Sequence, residues 1–284
     1  MTTTTTEYWS IIPADGVEYP LQTLAKNITT WGDDRQGVPP LRGEDVTIPW
    51  IPGDQEIDRM PASRVIGLGM WVIDTDDNGA VATTRQDAFN KNWRILQRIF
   101  WNEGKVFTLR KRWRDETNTL QTADARARYD GGLTPSMMSR TGAKFAVDLR
   151  LADPFFYSTT PVNLTIDSTV SGGLITPTIQ GTVSSRKVSF VATSKTGGVT
   201  TPTLMCTQNG HTWALDVTTT AGAVSLTANM KTQNAQMAAA DVSGFVTHSG
   251  SDDWFKLPYG TINLTASAAV GGWSGTLTYY PTWI

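Results

Sequence analysis

At 284 residues the chain is long enough for about two domains, each with its own core. Its 24 Lys and Arg stand against 26 Asp and Glu, a formal net charge of −2, which argues against a dedicated nucleic-acid binder needing a basic excess for phosphate. One cysteine, Cys206, and two histidines exclude an internal disulfide and any zinc site built from four cysteines or from two cysteines and two histidines, and nothing in the composition calls for a cofactor.

Charge is unevenly spread. Residues 1–157 hold 19 Lys and Arg and 21 Asp and Glu, whereas residues 158–284 hold 5 and 5, with 25 Thr among 127 residues. Threonine is β-branched and opposes long helices. The expectation is a mainly β chain of two domains, 1–157 and 158–284, the first a β-rich α+β unit and the second a β-sandwich. Met1 followed by Thr2–Thr6 lacks the basic and apolar regions of a signal peptide, and no apolar run reaches the roughly 20 residues that span a membrane. The expected life of the protein is inside a cell until something releases it.

Tyr8–Ile12 and Val46–Ile51 read as short strands closed by Pro13 and by Pro52-Gly53-Asp54. Arg64–Ile73 is the most apolar stretch and predicts a central strand, ended by Asp74-Thr75-Asp76-Asp77-Asn78-Gly79. A helix follows over about 84–103, with Thr83 or Thr84 to cap it and Gly104 to stop it. Phe89, Trp93, Leu96 and Phe100, joined by Ile95 and Ile99, form its apolar face, and Arg85, Lys91, Arg94 and Arg98 lie opposite. Val106–Arg114 alternates Phe107, Leu109, Lys111 and Trp113 against Thr108, Arg110, Arg112 and Arg114, and Leu120–Tyr129 is its hairpin partner. Lys144–Leu151 alternates again and ends at Asp153-Pro154-Phe155-Phe156-Tyr157.

Beyond Pro161 short strands recur about every ten residues, the rhythm of a sandwich: 162–166, 176–182, 187–192, 201–207, 211–217, 223–227, 261–266 and 275–280. Met230–Asp241 is readable as a short helix or as a loop.

No catalytic or metal site stands out. Asp74, Asp76, Asn78 and Gly79 match the first half of a calcium loop, but the twelfth position is Arg85 where a bidentate Glu is required, so a plain turn is expected. Asp252 and Asp253 are adjacent and would point to opposite faces of a strand, unlike the paired carboxylates of a glycosidase. His211 and His248, the latter beside Ser249, lack a nucleophile elbow and an orienting third group. The Arg110, Arg112, Arg114 stripe is a candidate subunit interface, since Arg is enriched in interfaces. Trp213, Trp254 and Trp273 fall near turns of the low-charge half, where an exposed indole stacks on a sugar ring; core packing is the competing reading for each.

Residues 144–157, an alternating strand ending in LADPFFYS, resemble the junction that closes the first domain of distal tail proteins from phages with long non-contractile tails. The C-terminal run FKLPYGTINLTASAAVGGWSGTLTYYPTWI is similar to that family's closing hairpin through Phe255, Leu257, Gly260, Asn263, Tyr280, Pro281 and Trp283. The order of parts agrees: a β-rich segment, one amphipathic helix, long strands, then a sandwich. The resemblance implies a non-enzymatic structural protein at the tail tip of a virion, assembled in the host bacterial cytoplasm. Six copies would form a ring joining the tail tube protein to the tail-associated hub and adsorption apparatus. The first domain would surround a channel through which DNA passes unbound, and a galectin-like second domain would project outward. A carbohydrate-binding adhesin reading host cell-wall glycans through Trp213, Trp254 or Trp273 is the competing expectation.

Overall fold

The computed structural model describes residues 7–21, 28–33, 39–42, 46–47, 54–55, 60–75, 80, 82–101, 104–139, 142–195, 198–218, 225–249 and 255–284. The described chain is mainly β. It divides into two compact units, Met1–Phe156 with Ile284, and Tyr157–Trp283.

In the first unit the strands of the main sheet path are β1 (Glu7–Ile12), β2 (Tyr19–Pro20), β3 (Ile28–Asp33), β4 (Arg64–Ile73), β5 (Phe107–Arg114), β6 (Leu120–Met138) and β7 (Gly142–Leu151). They form one antiparallel sheet in the order β2-β1-β5-β6-β7-β4-β3. Period-two patterning decides which face is buried. Ile66, Leu68, Met70 and Val72 of β4 point inward with Phe145, Val147, Leu149 and Leu151 of β7, and with Phe107 and Leu109 of β5. Of the strand expected over Val46–Ile51, only Val46–Thr47 lies within the described residues, paired with Asp54–Gln55.

The sheet's inner face is covered by α1 (Arg85–Trp101), which packs on β4 and β6. The Thr84 carbonyl accepts the Ala88 N–H at 3.1 Å, and Asp87 in the first turn and Arg98 in the last complement the helix dipole. Gly104 then takes a φ of 71°, which costs a glycine little. Phe89, Leu96, Ile99 and Phe100 are buried, each burial contributing about 1.5–3 kcal/mol. Trp93 is half-buried and meets Phe145 edge-on at 5.2 Å. Asn92 is buried on the same apolar face because its Nδ2 donates to the Ile73 and Thr75 carbonyls, both at 3.0 Å. The end of β4 is thereby tied to the helix.

The hairpin partner of β5 continues past Tyr129 to Met138, nine residues beyond expectation. Register shifts near Gly131, Pro135 and Met137 carry it through residues that resemble a strand break. At Gly132, φ is 87° and an added Cβ would sit 2.4 Å from the Ala146 carbonyl oxygen, so the bulge requires glycine.

In the second unit the strands are β8 (Val162–Asp167), β9 (Leu174–Ile175), β10 (Val188–Ser194), β11 (Thr203–Cys206), β12 (His211–Leu215), β13 (Ser225–Asn229), β14 (Asn234–Met237), β15 (Ala240–Asp241), β16 (Val246–Ser249), β17 (Leu264–Ser267) and β18 (Trp273–Tyr279). One antiparallel sheet runs β8-β18-β10-β13-β14-β15 and a second runs β9-β17-β11-β12-β16. Phe190, Leu226, Leu277 and Tyr279 from the first meet Leu204, Trp213, Leu215 and Leu264 from the second in one core, the arrangement of a β-sandwich. Of Met230–Asp241, read as a short helix or a loop, residues 230–233 are a turn and the rest is a hairpin. The hairpin is β14 and β15, joined by Ala238 and Ala239 with φ of 47° and 69°, a two-residue turn of the type that suits hairpin twist.

Candidate interaction surfaces

The face of the first unit's sheet turned away from α1 carries the arginine stripe. Arg110 lies opposite Ser10 on β1 and Asp124 on β6; Arg112 lies opposite Tyr8 and Thr122. Arg110 grips Asp124 with a two-bond fork, Nε to Oδ1 at 2.7 Å and Nη2 to Oδ2 at 2.9 Å. Its Nη1 donates to Glu18 Oε2 at 2.9 Å, and Arg112 Nη2 donates to the same oxygen at 2.9 Å. Arg112 Nη1 donates to Glu18 Oε1 and, at 3.1 Å, to the buried Ser10 hydroxyl. The Arg112 guanidinium also lies 5.3 Å from the Tyr8 ring centroid.

The hydrogen bond from Arg112 is the main reason the Glu18 carboxyl falls from 4.5 to about 2; Ser10 and the two guanidinium charges assist, and partial burial opposes. Asp124 chiefly holds Arg110 above its ordinary value, and Glu18 does the same for Arg112. Near neutral pH this carboxylate has no proton to give, so the cluster is a fixed, charge-balanced platform rather than acid–base machinery. Arg114, the third residue of the stripe, is exposed and turns to the Asn118 carbonyl at 2.8 Å. Further along the same face Arg126 and Arg128 are exposed, and Arg128 stands directly opposite Arg150. Such a like-charge pair costs stability. Arg150 Nε is 3.0 Å from Asp130 Oδ1, an ion pair off the line of the N–H. Glu18 was not legible as the partner of Arg110 and Arg112, because 92 and 94 residues separate them.

Two of the three candidate glycan tryptophans are corrected. Trp213 and Trp273 are 0% and 1% exposed and pack edge-on against Phe190 at 5.9 and 5.0 Å, which leaves no indole face for a sugar ring. Trp273 Nε1 donates to the Ser267 carbonyl at 2.8 Å. Strand alternation carried this signal: Trp213 shares a face with Leu215 in HTWAL. Trp254, with Asp252 and Asp253, lies outside the described residues.

Asp74, the first carboxylate of the calcium-like run, is buried and ion-paired with Arg85, the residue at the run's twelfth position; residues 76–79 lie outside the described part. The hydroxyl of Ser249 accepts the Thr212 N–H at 3.0 Å and donates to the Gly210 carbonyl at 3.1 Å, bracing a strand end beside the exposed His248. Among the described residues no three His, Cys, Asp or Glu side chains group to hold a metal ion, and no helix is long and apolar enough to cross a membrane.

Both units, taken in order along the chain, match one solved structure. The SPP1 Dit (gp 19.1) protein, described as a paradigm of the hub adsorption apparatus in phages infecting Gram-positive hosts, is 11% identical with a TM-score of 0.62. The match covers 98% of this chain and 99% of that one. This chain has the Dit fold. Two structures of the phage p2 baseplate in its activated conformation, with calcium and with strontium, give TM-scores of 0.40 and 0.39. They are 8% and 10% identical, and each match covers 95% of this chain and 97% of the other. No protein-family model matches, and no curated protein matches. The resemblance drawn from residues 144–157 and from the C-terminal run therefore holds in the backbone, at an identity where side-chain chemistry is this chain's own.

Proposed function

We propose that this chain is a structural subunit of a phage tail tip, a distal tail protein without enzymatic activity. Six copies form a ring that joins the tail tube protein to the tail-associated hub, and DNA passes through it without being specifically held. The residues 1–157 build the ring, and residues 158–284 form a galectin-like domain that projects outward. Assembly takes place in the host bacterial cytoplasm.

The observation that carries this reading is the end-to-end likeness to the SPP1 Dit hub protein at a TM-score of 0.62, spanning both units in order. The sheet face with Arg110, Arg112 and Arg114 supports it in kind: arginines pre-fixed by Glu18 and Asp124 lose little side-chain entropy when a neighbouring subunit covers them. Light scattering at high protein concentration, followed by negative-stain electron microscopy, tests it. Six-fold rings are expected; a strictly monomeric protein, alone and beside its tail neighbours, refutes it. The adhesin reading draws no support from Trp213 or Trp273, whose burial removes two of its three stacking candidates.

A further inference from the structure

The solvent face of α1 and the β5–β6 turn of the first unit are complementary surfaces. Arg94, Arg98 and Trp101 fall at i, i+4 and i+7, one stripe of the helix. Both arginines are exposed and make no hydrogen bond or ion pair with any described residue, and Trp101 is 64% exposed. Exposed Trp beside exposed Arg is the composition of an interface hot spot. The turn offers the reverse: Glu116 is exposed, and Leu120, which closes the ladder opposite Arg114, is 49% exposed.

The turn is also braced by internal hydrogen bonds. Asp115 Oδ1 accepts the Thr117 N–H at 3.0 Å, the Thr117 hydroxyl at 2.7 Å and the Thr119 N–H at 2.9 Å, while Oδ2 accepts Gln121 Nε2 at 2.7 Å. Those bonds hold the Asp115 carboxyl down to about 2 and occupy it. Glu116 is therefore the acid the turn presents, on a loop already ordered for docking.

Within one copy α1 packs on β4 and β6, and no hydrogen bond or ion pair joins Arg94 or Arg98 to Glu116. Trp93 packs on Phe145, whose β6 partner is Pro135, and from Pro135 back to Leu120 the strand runs for about 40 Å along its contour at about 3.3 Å per residue, two bulge residues adding no length. From Trp93 to Trp101 the helix advances only about 12 Å, less than the length of strand between Pro135 and the turn.

We propose that the Arg94, Arg98, Trp101 stripe of α1 receives the Glu116–Leu120 turn of a second copy of this chain. Glu116 pairs with the arginines, and Leu120 packs on the exposed indole. The contact uses two different surfaces, so it is head-to-tail and propagates from copy to copy until a ring closes. The inference rests on the self-assembly reading and names the side chains that would carry it.

Sedimentation velocity of the full chain over a concentration series tests it, with circular dichroism to verify folding. Association of the unmodified chain is expected to weaken at least about tenfold in the double variant R94E/R98E, in E116R, and in W101A. Combining E116R with R94E/R98E is expected to restore most of the loss, which general damage would not do. If the unmodified chain assembles and the variants assemble equally well, this contact is wrong and the ring reading stands. Weakening by both charge reversals without mutual rescue also overturns the pairing. A chain that stays monomeric at every concentration overturns the pairing and the ring together.

Discussion

Glu18 is the residue whose removal says most about the first unit. It bridges Arg110 and Arg112, whose side chains are only 21% and 18% exposed, and its own carboxylate is 28% exposed. Folding lowers its carboxyl from 4.5 to about 2, mainly through the Arg112 hydrogen bond. At about 1.4 kcal/mol per pH unit that gap is worth roughly 3 kcal/mol, and solvent screening of a partly exposed group reduces it to about 1–2 kcal/mol. Because the folded value is the lower one, this stability is fully present above 4.5 and is lost as pH falls toward 2. Glu18→Gln keeps the shape and removes the charge. Urea titrations from pH 7 to pH 3, followed by fluorescence and by limited proteolysis within residues 1–156, are expected to show the variant less stable by about 1–2 kcal/mol at pH 7, with the deficit shrinking below pH 4. A variant with the full stability of the parent at pH 7, or a deficit that persists unchanged at pH 3, would refute the bridging role.

Trp213→Ala is expected to destabilise the second unit by about 3–5 kcal/mol, read by denaturant unfolding, because it empties the centre of the sandwich core. An unchanged midpoint would mean the indole is not in the core. Asn92→Leu should cost about 1–3 kcal/mol despite added apolar volume, since the Ile73 and Thr75 carbonyls lose their donor; a gain on calorimetry would contradict this. Replacing Ala238-Ala239 by Asn-Gly is expected to stabilise the β14–β15 hairpin by about 1 kcal/mol, because two alanines occupy left-handed conformations that Asn and Gly adopt more readily. A lower melting temperature would argue against that turn geometry.

Where one face of an element is buried and the other is not, residue order was enough to place it. Arg64–Ile73 and Arg85–Trp101 show this, because alternation and a three-to-four spacing follow directly from burial. Asn92 was legible in principle: it lies three residues after Phe89 and four before Leu96, inside the apolar stripe, and a polar side chain there signals a buried backbone acceptor. Two features were hidden for different reasons. The extension of β6 beyond Tyr129 runs through Asp130-Gly131-Gly132 and Pro135, which resemble a turn locally and become bulges only because β7 supplies the pairing. The β14–β15 hairpin turns on two alanines, residues with no turn preference, so tertiary pairing overrides local propensity there. Nearness to a turn says nothing about which face a strand residue takes, and this is why Trp213 and Trp273 were open to a glycan reading.

The fall in charge after residue 157 has a counterpart in how the two units treat their solvent-facing sheets. In the first, the open face is ionic: Arg110, Arg112 and Asp124 meet Glu18 from a separate segment, and Arg128 faces Arg150 across the ladder. In the second, the corresponding face is largely neutral, its end row holding Asp167, ion-paired with Lys195. Asn163, Thr278, Ser189, Asn229 and Asn234 line up across one row, and Thr165, Thr276, Val191, Thr227 and Gln236 across the next, ending at Asp241. Thr278 donates to Asn163 at 2.8 Å along this face, so part of its polarity is spent internally. A face of hydroxyls and amides gives little long-range attraction, whereas fixed guanidiniums and carboxylates orient an approaching partner before contact. A subunit that must find identical neighbours in one orientation needs its directional charges on the assembling unit and few on the other. That is the distribution this chain has, and on the ring proposed above it assigns the directional contacts to the first unit, where Arg94, Arg98 and Glu116 lie.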